Sequence, residues 1–257
     1  MPRLEAPLLR LHKASLLAFH ILLGLILTAL LLLRASRERP FWLQRARLIS
    51  WWHGRACRIL RVEVSVHGTL PQGSAVLLSN HVSWLDIPVL GSLLLQAGWP
   101  GITFVAKSEV KQWPALGWLA TQAGTLYIER GRLSEIRTLA SAYAKVIETG
   151  AVLTLFPEGT TSDGRRILPI RSGTLHSLQE MTAPRVPIVL RYRDAEDQVH
   201  PSVPFIGEDS FLPHLWRLLA ARDVRVEVRI LEACDPEVRV RDQAADCQAR
   251  MAAALLS

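Results

Sequence analysis

The sequence predicts an α/β fold: a mostly parallel central sheet flanked by helices, with an N-terminal membrane-embedded helical segment. After residue 62, short continuous apolar runs alternate with stretches of helical period, which is the pattern of buried strands joined by helices. A long stretch without charges precedes them. A chain of 257 residues that is 49% apolar and 21% charged can bury one sizeable core. We therefore expect an anchor and a basic interfacial helix over residues 1–61, and one globular domain over residues 62–257.

Basic residues are concentrated near the N-terminus. Residues 1–62 contain eleven lysines and arginines against two acids, and the rest of the chain contains 19 basic and 21 acidic residues. A nucleic-acid partner is disfavoured because it would need a basic surface on the folded body. A basic N-terminus that also carries tryptophans is typical of a protein that binds an anionic membrane surface.

The apolar segment from Ser15 to Leu33 contains nineteen residues and no charge. As a helix it is roughly 28 Å long, close to the ~30 Å hydrocarbon core of a bilayer. Arg34 follows directly, where a signal peptide would have a small-residue cleavage site, so a retained anchor is favoured. More basic residues follow the segment than precede it, which predicts that the following chain stays on the cytoplasmic side.

A second helix is predicted to begin at Pro40. Arginines are dispersed around it, and its apolar residues recur at spacings of three, four and seven. These apolar residues are Trp42, Ile49, Trp52, Ala56 and Ile59. The pattern favours a helix at the membrane interface, with indole rings at headgroup depth. The alternative is an ordinary helix packed on the domain.

The body contains strand candidates and two further helices. A helix is predicted over Leu133–Ile147, with Ser134 as its N-cap, and another from about Pro236 to Leu256. The strand candidates are Val62–Val66, Ala75–Ser79, Ile102–Ala106, Thr125–Glu129, Ala151–Phe156, Pro187–Tyr192 and Val224–Ile230. The last alternates apolar and charged residues, so one of its faces is expected to be wet.

The cysteines are Cys57, Cys234 and Cys247. They are odd in number, far apart and without C-x-x-C spacing, so they predict neither a disulfide framework nor a zinc site. We expect a reducing compartment, no metal and no cofactor.

Reactive side chains are expected where the strand Ala75–Ser79 ends and a helix begins. His81 and Asp86 follow that strand. Five residues correspond to about 140° around a helix, so these side chains would diverge on a continuous one. A turn between them would bring imidazole and carboxylate together.

Four blocks in a fixed order extend this pattern. They are Asn80-His81-x-Ser83-x-x-Asp86, Gly124–Arg130, Phe156–Ser162 and Val186–Val189. As an ordered set the blocks resemble those of the bacterial 1-acyl-sn-glycerol-3-phosphate (lysophosphatidic acid, LPA) acyltransferases, within the glycerolipid acyltransferase superfamily. The resemblance covers roughly residues 60 to 195. It implies a membrane-embedded helical motif beside an α/β acyltransferase domain, located at the cell inner membrane.

The resemblance also implies a reaction and a set of site residues. An acyl group would move from acyl-CoA or acyl carrier protein to the sn-2 hydroxyl of a lysolipid acceptor. His81 would act as general base, with Asp86 fixing its tautomer. Acceptor binding would fall to Arg130 for the phosphate, Glu158 and Gly159 for the glycerol end, and Asn80, Ser83 and Thr160 of the same blocks. Lys107 is a further phosphate candidate. Backbone N–H groups near Gly159 are candidate donors to the oxyanion.

Thr161 departs from the family pattern, which has an arginine at this position of the third block. Without it a bidentate phosphate clamp is lost, unless Arg165, Arg166 or Arg171 substitutes. The run Phe156–Gly164, with Leu190–Tyr192 after the fourth block, also resembles the lyso-ornithine lipid acyltransferases. An acceptor with an amino-acid headgroup is therefore the alternative to LPA.

Three other functions are weighed against acyl transfer. Ser83 as a nucleophile is disfavoured because the chain has no G-x-S-x-G elbow, and Ser83 better suits a helix cap. A metal-dependent phosphatase would need a compact acidic cluster, which the sequence lacks. A non-catalytic lipid-binding or scaffold protein would need neither His81 nor Asp86.

Overall fold

A computed structural model describes residues 2–34, 40–128, 135–235 and 238–257. Within these residues the chain forms a seven-stranded sheet with helices on both faces. The strands are β1 (Val62–His67), β2 (Val76–Ser79), β3 (Ile102–Lys107), β4 (Leu126–Ile128), β5 (Val152–Leu155), β6 (Arg185–Arg193) and β7 (Val224–Ile230). The α-helices are α1 (Pro2–Leu33), α2 (Pro40–Leu60), α3 (Asp86–Ser92), α4 (Leu116–Gln122), α5 (Glu135–Glu148), α6 (Ser172–His176), α7 (Phe211–Leu219) and α8 (Val240–Leu256). A 3₁₀ helix spans Ser108–Gln112.

The strands lie in the order β1-β7-β6-β2-β5-β3-β4. Every neighbouring pair is parallel except β6 and β7, which are antiparallel. The mostly parallel sheet predicted from the sequence is therefore confirmed. Because β2, β5 and β3 are adjacent and parallel, their carboxyl ends meet at one edge, where ligands bind in open α/β sheets.

The sheet separates two apolar cores. On β2 and the residue before it, Ala75 and Leu77 face a core shared with α2, α3 and α7. Val76 and Leu78 face a second core shared with α5, α6 and α8. Alternate side chains of one strand thus enter different layers, which is why the strand is a continuous apolar run.

The predicted strands are all present, with described ends that differ by at most two residues. The predicted end of the fourth strand at Glu129 lies outside the described residues. The alternation along β7 is confirmed, since its four apolar side chains are buried and Arg225, Glu227 and Arg229 are exposed or half-buried. The two helices predicted within the body of the chain, over Leu133–Ile147 and from about Pro236 to Leu256, correspond to α5 and α8. The predicted N-cap Ser134 and the predicted start at Pro236 lie outside the described residues.

The first helix is longer than the apolar segment that predicts it. Over Pro7–Leu33, α1 is long and apolar enough to cross a membrane. One face packs against the rest of the molecule, because His20 and Gly24 meet Trp52 of α2. The buried ammonium of Lys13 donates to the carbonyls of Leu60, 3.1 Å away, and Ala221, 2.7 Å away. It thereby binds the C-terminal ends of α2 and α7, where a cation is favoured.

The second helix packs on the domain. Ala46, Cys57 and Leu60 of α2 are buried in the core beside α3. The contacts of α2 are those of a helix packed on the domain, and its predicted location at the membrane interface stays a prediction. Its contact with α3 is close, because a β-carbon added to Gly91 would lie 2.3 Å from Cδ2 of His53.

The substitution Gly91→Ala tests this contact. Since the His53 ring is buried, we expect overpacking to destabilise the fold by about 1–3 kcal/mol. Gly54→Ala on α2 is the matched control, because the nearest atom to its added β-carbon, Cβ of Ser92, is 3.9 Å away. The control should gain up to ~1 kcal/mol from helix propensity. Thermal unfolding in detergent measures both, and equal midpoints would contradict the proposed contact.

Candidate active site

Asn80 fixes the loop that follows β2. Its side-chain N–H donates to the Leu190 carbonyl at 3.1 Å, and its side-chain oxygen accepts from the Leu190 N–H at 2.7 Å. The side-chain amide of Asn80 thus pairs with the backbone of β6 as a peptide group of β2 would. Asn80 is fully buried and does not line the cavity described below, so its observed contacts position His81.

His81 and Asp86 are in direct contact. Nδ1 of His81 lies 2.7 Å from Oδ2 of Asp86, because a turn over Ser83–Leu85 separates His81 from the start of α3. The geometry expected from a turn is therefore present. With Nδ1 directed at the carboxylate, Nε2 is the ring nitrogen available to a substrate.

Asp86 is fully buried and accepts hydrogen bonds on both oxygens. Besides His81, Oδ2 accepts from the backbone N–H groups of Val82 at 2.8 Å and Ser83 at 3.1 Å. Oδ1 accepts from the hydroxyl of Tyr192 at 2.7 Å. These donors compensate the loss of water around a buried carboxylate and hold it in one orientation. Burial, with the negative charge of Asp86 beside it, raises the pKa of Tyr192 well above its ordinary value, so Tyr192 remains a donor.

The loop after β5 packs against His81. The Phe156 ring stacks on the imidazole with 4.0 Å between ring centroids. The Ser162 N–H donates to the His81 carbonyl at 2.7 Å. The first and third sequence blocks therefore meet, as the adjacency of β2 and β5 requires.

A largely apolar cavity of about 930 Å³ opens beside His81. It extends from the carboxyl edge of the sheet to α1 and α2, and α4 and α7 form other parts of its wall. About a fifth of the His81 side chain is exposed, at 22%, and it lines this cavity. The space suits a ligand with a long apolar part and few polar contacts.

Three cationic side chains in the described part of the chain line the same cavity: Arg45, Lys107 and Arg171. The Arg45 guanidinium is bound to the Gln122 carbonyl. Lys107 is the last residue of β3, and Arg171 precedes α6. Arg171 lies against Gly159, since a β-carbon there would be 2.9 Å from its Nε. Gly159 has a φ of +71°, so glycine suits both the backbone and the close approach. Arg130 lies outside the described residues.

Glu158 is behind the cavity wall. It is 2% exposed, is not among the lining residues, and its carboxyl oxygens have no hydrogen-bond partner in the described part of the chain. Burial is the largest cause that raises the pKa of Glu158 to about 8; the charge of Asp86 acts in the same direction, and the nearby backbone N–H groups of His81 and Leu168 act in the opposite one. The carboxyl is therefore mostly neutral at pH 7.

Three other residues of the sequence blocks have specific positions. The expectation that the Ser83 side chain caps α3 is wrong, because its buried hydroxyl makes no cap and its backbone N–H contacts Asp86 instead. The Gly159 N–H donates to the Phe156 carbonyl at 3.0 Å, so it is committed within the turn. Thr160 is exposed and lines the cavity, and the Thr161 hydroxyl donates to the Phe205 carbonyl.

Tyr192 and Phe156 were missed as site residues by sequence reasoning. Both belong to recognised blocks or their edges, but apolar strand residues give no signal of a role. Only the pairing of β2 with β6 places Tyr192, 106 positions after Asp86, beside the carboxylate. Among Arg165, Arg166 and Arg171, only Arg171 lines the cavity within the described residues.

Fold and site together define an α/β enzyme with an apolar N-terminal helix, whose polar groups meet at the edge of a cavity suited to lipid chains. Residues 61–191 match the model of the Acyltransferase family, and the chain belongs to that family. The family assignment drawn from the four sequence blocks is therefore confirmed.

Relatives and a solved structure agree with this assignment. A lyso-ornithine lipid O-acyltransferase of Pseudomonas aeruginosa is 38% identical over 73% of this chain and 70% of that protein. A 1-acyl-sn-glycerol-3-phosphate acyltransferase of Neisseria gonorrhoeae is 32% identical over 64% of this chain and 62% of its own length. The crystal structure of the LPA acyltransferase PlsC from Thermotoga maritima has the same fold, with a TM-score of 0.68, 19% identity and 99% coverage of both chains.

The substitution Tyr192→Phe tests whether Tyr192 positions Asp86. Loss of a hydrogen bond to a charged group costs about 1.5–3 kcal/mol, which we expect to divide between stability and turnover. With one donor fewer, Asp86 stabilises the imidazolium of His81 more strongly, so the acidic limb of the pH–rate profile should move to higher pH.

Acyl-transfer rates across pH, with KM measured in parallel, provide the readout. Tyr127→Phe is the control, because the Tyr127 hydroxyl contacts Thr121 and Gly117, away from Asp86. An unchanged profile and turnover in Tyr192→Phe would show that the contact has no role in catalysis.

Proposed function

We propose that this chain transfers a fatty-acyl group from an acyl thioester to a free hydroxyl of a lysolipid, with His81 as general base. The proposal rests on one observation: a histidine paired with a buried carboxylate stands at the edge of a large apolar cavity. A lipid hydroxyl is a weak acid and needs a base to become a nucleophile.

The reaction follows from the orientation of the ring. Nε2 of His81 takes the hydroxyl proton as the oxygen attacks the thioester carbonyl, and a tetrahedral oxyanion forms. The C–S bond then breaks, and the imidazolium returns the proton to the departing thiolate. Asp86 stabilises the transient imidazolium and remains a carboxylate. Acyl-CoA and acyl carrier protein present the same thioester, so either serves as donor in this scheme.

We propose that the acyl chains lie in the cavity. Its wall is mostly apolar, and Lys107 and Arg171 add positive charge to it. Such a distribution binds an amphiphile with the chains enclosed and the headgroup at the cations. The N-terminal segment, residues 1–61, is proposed to hold the domain at the inner membrane, with residues 62–257 on the cytoplasmic side.

For the acceptor we favour a lyso-ornithine lipid over LPA. The relative with 38% identity is a lyso-ornithine lipid O-acyltransferase, whereas the LPA acyltransferase of Neisseria gonorrhoeae is 32% identical over a shorter part of the chain. Thr161 stands where the LPA pattern has arginine, and its hydroxyl contacts the Phe205 carbonyl.

LPA remains the second candidate, because relatives that act on it share the chain's blocks. Lys107 and Arg171 both reach the cavity and together offer two positive charges.

The substitution His81→Ala tests the base. We expect a loss of about 10²–10⁴-fold in turnover, with a thermal midpoint close to that of the native chain because His81 is partly exposed at a cavity. His176→Ala is the matched control, since His176 is an exposed histidine on α6 that does not line the cavity. Normal turnover by purified His81→Ala would refute the assignment.

The acceptor preference is tested by parallel assays with lyso-ornithine lipid and LPA. We expect kcat/KM to be at least about tenfold higher for the ornithine acceptor, equivalent to ~1.4 kcal/mol. Thr161→Arg should improve use of LPA by adding a second guanidinium near the headgroup. Thr161→Val is the control for loss of the hydrogen bond to Phe205. Equal or reversed preference in the native chain would defeat the proposed acceptor.

A further inference from the structure

Helix α7 has an apolar outer face. Leu212 is 72% exposed and Trp216, one turn later, is 47% exposed. The inner side of the same helix is also apolar, because Leu218 and Leu219 are buried in the core and Leu215 lines the cavity. A surface helix of a soluble domain normally has a polar outer face. We therefore expect the outer face of α7 to contact an apolar partner.

The outer face of α7 continues two other apolar surfaces. On α4, Trp118 is 40% exposed. Both α4 and α7 contact α1, whose exposed side chains recur at helical spacing along one face. These are Leu8, Leu11, Phe19, Leu22, Ile26 and Leu30. We define the lipid-facing surface as this stripe of α1 together with Trp118, Leu212 and Trp216.

Basic side chains stand beside this surface. The guanidinium of Arg10 lies 5.7 Å from the ring centre of Trp216. Arg61 and Arg222 are exposed and close enough to Lys13, which binds the carbonyl at the end of α7, to repel its ammonium. Indole rings next to arginines are typical of the level at which lipid headgroups meet acyl chains. Among the acidic residues described near this surface, Asp223 lies close to Lys13, and Asp209 is paired with Arg217.

We propose that α7 and α4 enter the lipid headgroup region beside α1, so that the bilayer covers Leu212, Trp216 and Trp118. The occupant is an anionic lipid surface, because the apolar surface is continuous with the membrane helix and arginines adjoin it. The inner sides of both helices line the cavity, through Leu116 and Leu119 on α4 and Leu215 on α7. A lysolipid therefore enters the cavity from the bilayer side. This inference goes beyond the proposed reaction and does not depend on the acceptor headgroup.

Site-directed labelling tests the depth of α7 without any turnover. The native cysteines are buried, so a cysteine introduced as Leu212→Cys is the accessible thiol. The full chain is nitroxide-labelled and reconstituted in phosphatidylglycerol–phosphatidylethanolamine vesicles. Collision rates with oxygen, which enters the bilayer, and with a water-soluble nickel chelate report the depth. Leu256→Cys is the matched control, because Leu256 is an exposed leucine, 79% accessible, on α8.

Each labelling outcome decides the proposal. We expect the label at 212 to show more oxygen and fewer nickel collisions than the label at 256. Equal nickel accessibility at both positions would overturn the proposal, since α7 would then face water. Low accessibility to both oxygen and nickel at 212 would also overturn it, because a second copy or another protein would then cover the face.

A charge substitution provides a second measurement. Leu212→Glu should lower turnover of a lysolipid presented in vesicles by at least about tenfold while leaving turnover in detergent micelles within about twofold. Leu256→Glu should change neither. Equal activity of Leu212→Glu and native protein on vesicles would contradict the proposal. If no acyl transfer occurs at all, the proposed reaction fails and the labelling result still stands.

Discussion

The buried carboxylate of Asp86 is the constraint on which the site depends. A carboxylate out of water is stable only when hydrogen bonds replace its hydration. Here the donors come from two distant parts of the chain: the segment His81–Ser83 after β2, and Tyr192 near the end of β6. Satisfying this one group fixes the turn, the imidazole and the register between β2 and β6. The defined orientation of the partly exposed His81 ring is thus a consequence of the burial of Asp86.

A second constraint acts on α4 and α7. Each of these helices has an apolar side toward the cavity and another apolar side toward the outside of the molecule. Both α4 and α7 have inward side chains that line the cavity and outward side chains that are exposed. In a soluble enzyme one side would be polar. Under the proposed orientation, a largely apolar cavity that His81 lines, between these helices, suits a substrate whose chains cannot cross water.

Sequence patterns predicted the elements but not the contacts between distant ones. Continuous apolar runs predicted the strands, and the blocks predicted the neighbourhood of His81 and Asp86, because these signals are local. Tyr192 was not found, since its role depends on strand order and register, which apolar periodicity does not contain. Ser83 was assigned to a cap by its spacing, but the turn directs its backbone N–H toward Asp86 instead. The packing of α2 was ambiguous because a helix with tryptophans and arginines suits either a membrane interface or a domain surface.

Glu158 shows why the neighbourhood of the pair also matters. An ionised carboxylate here would place a second negative charge near Asp86, and like charges that share a site push one pKa upward. Burial is the largest cause that raises the pKa of Glu158 to about 8, and the charge of Asp86 adds to it, so at neutral pH the Glu158 carboxyl is mostly uncharged. The His81 imidazole therefore interacts with a single charged carboxylate, which the donors to Asp86 hold in one orientation. Keeping water away from Glu158 thus leaves Asp86 as the charged carboxylate beside the His81 imidazole, which is the arrangement that the proposed general base requires.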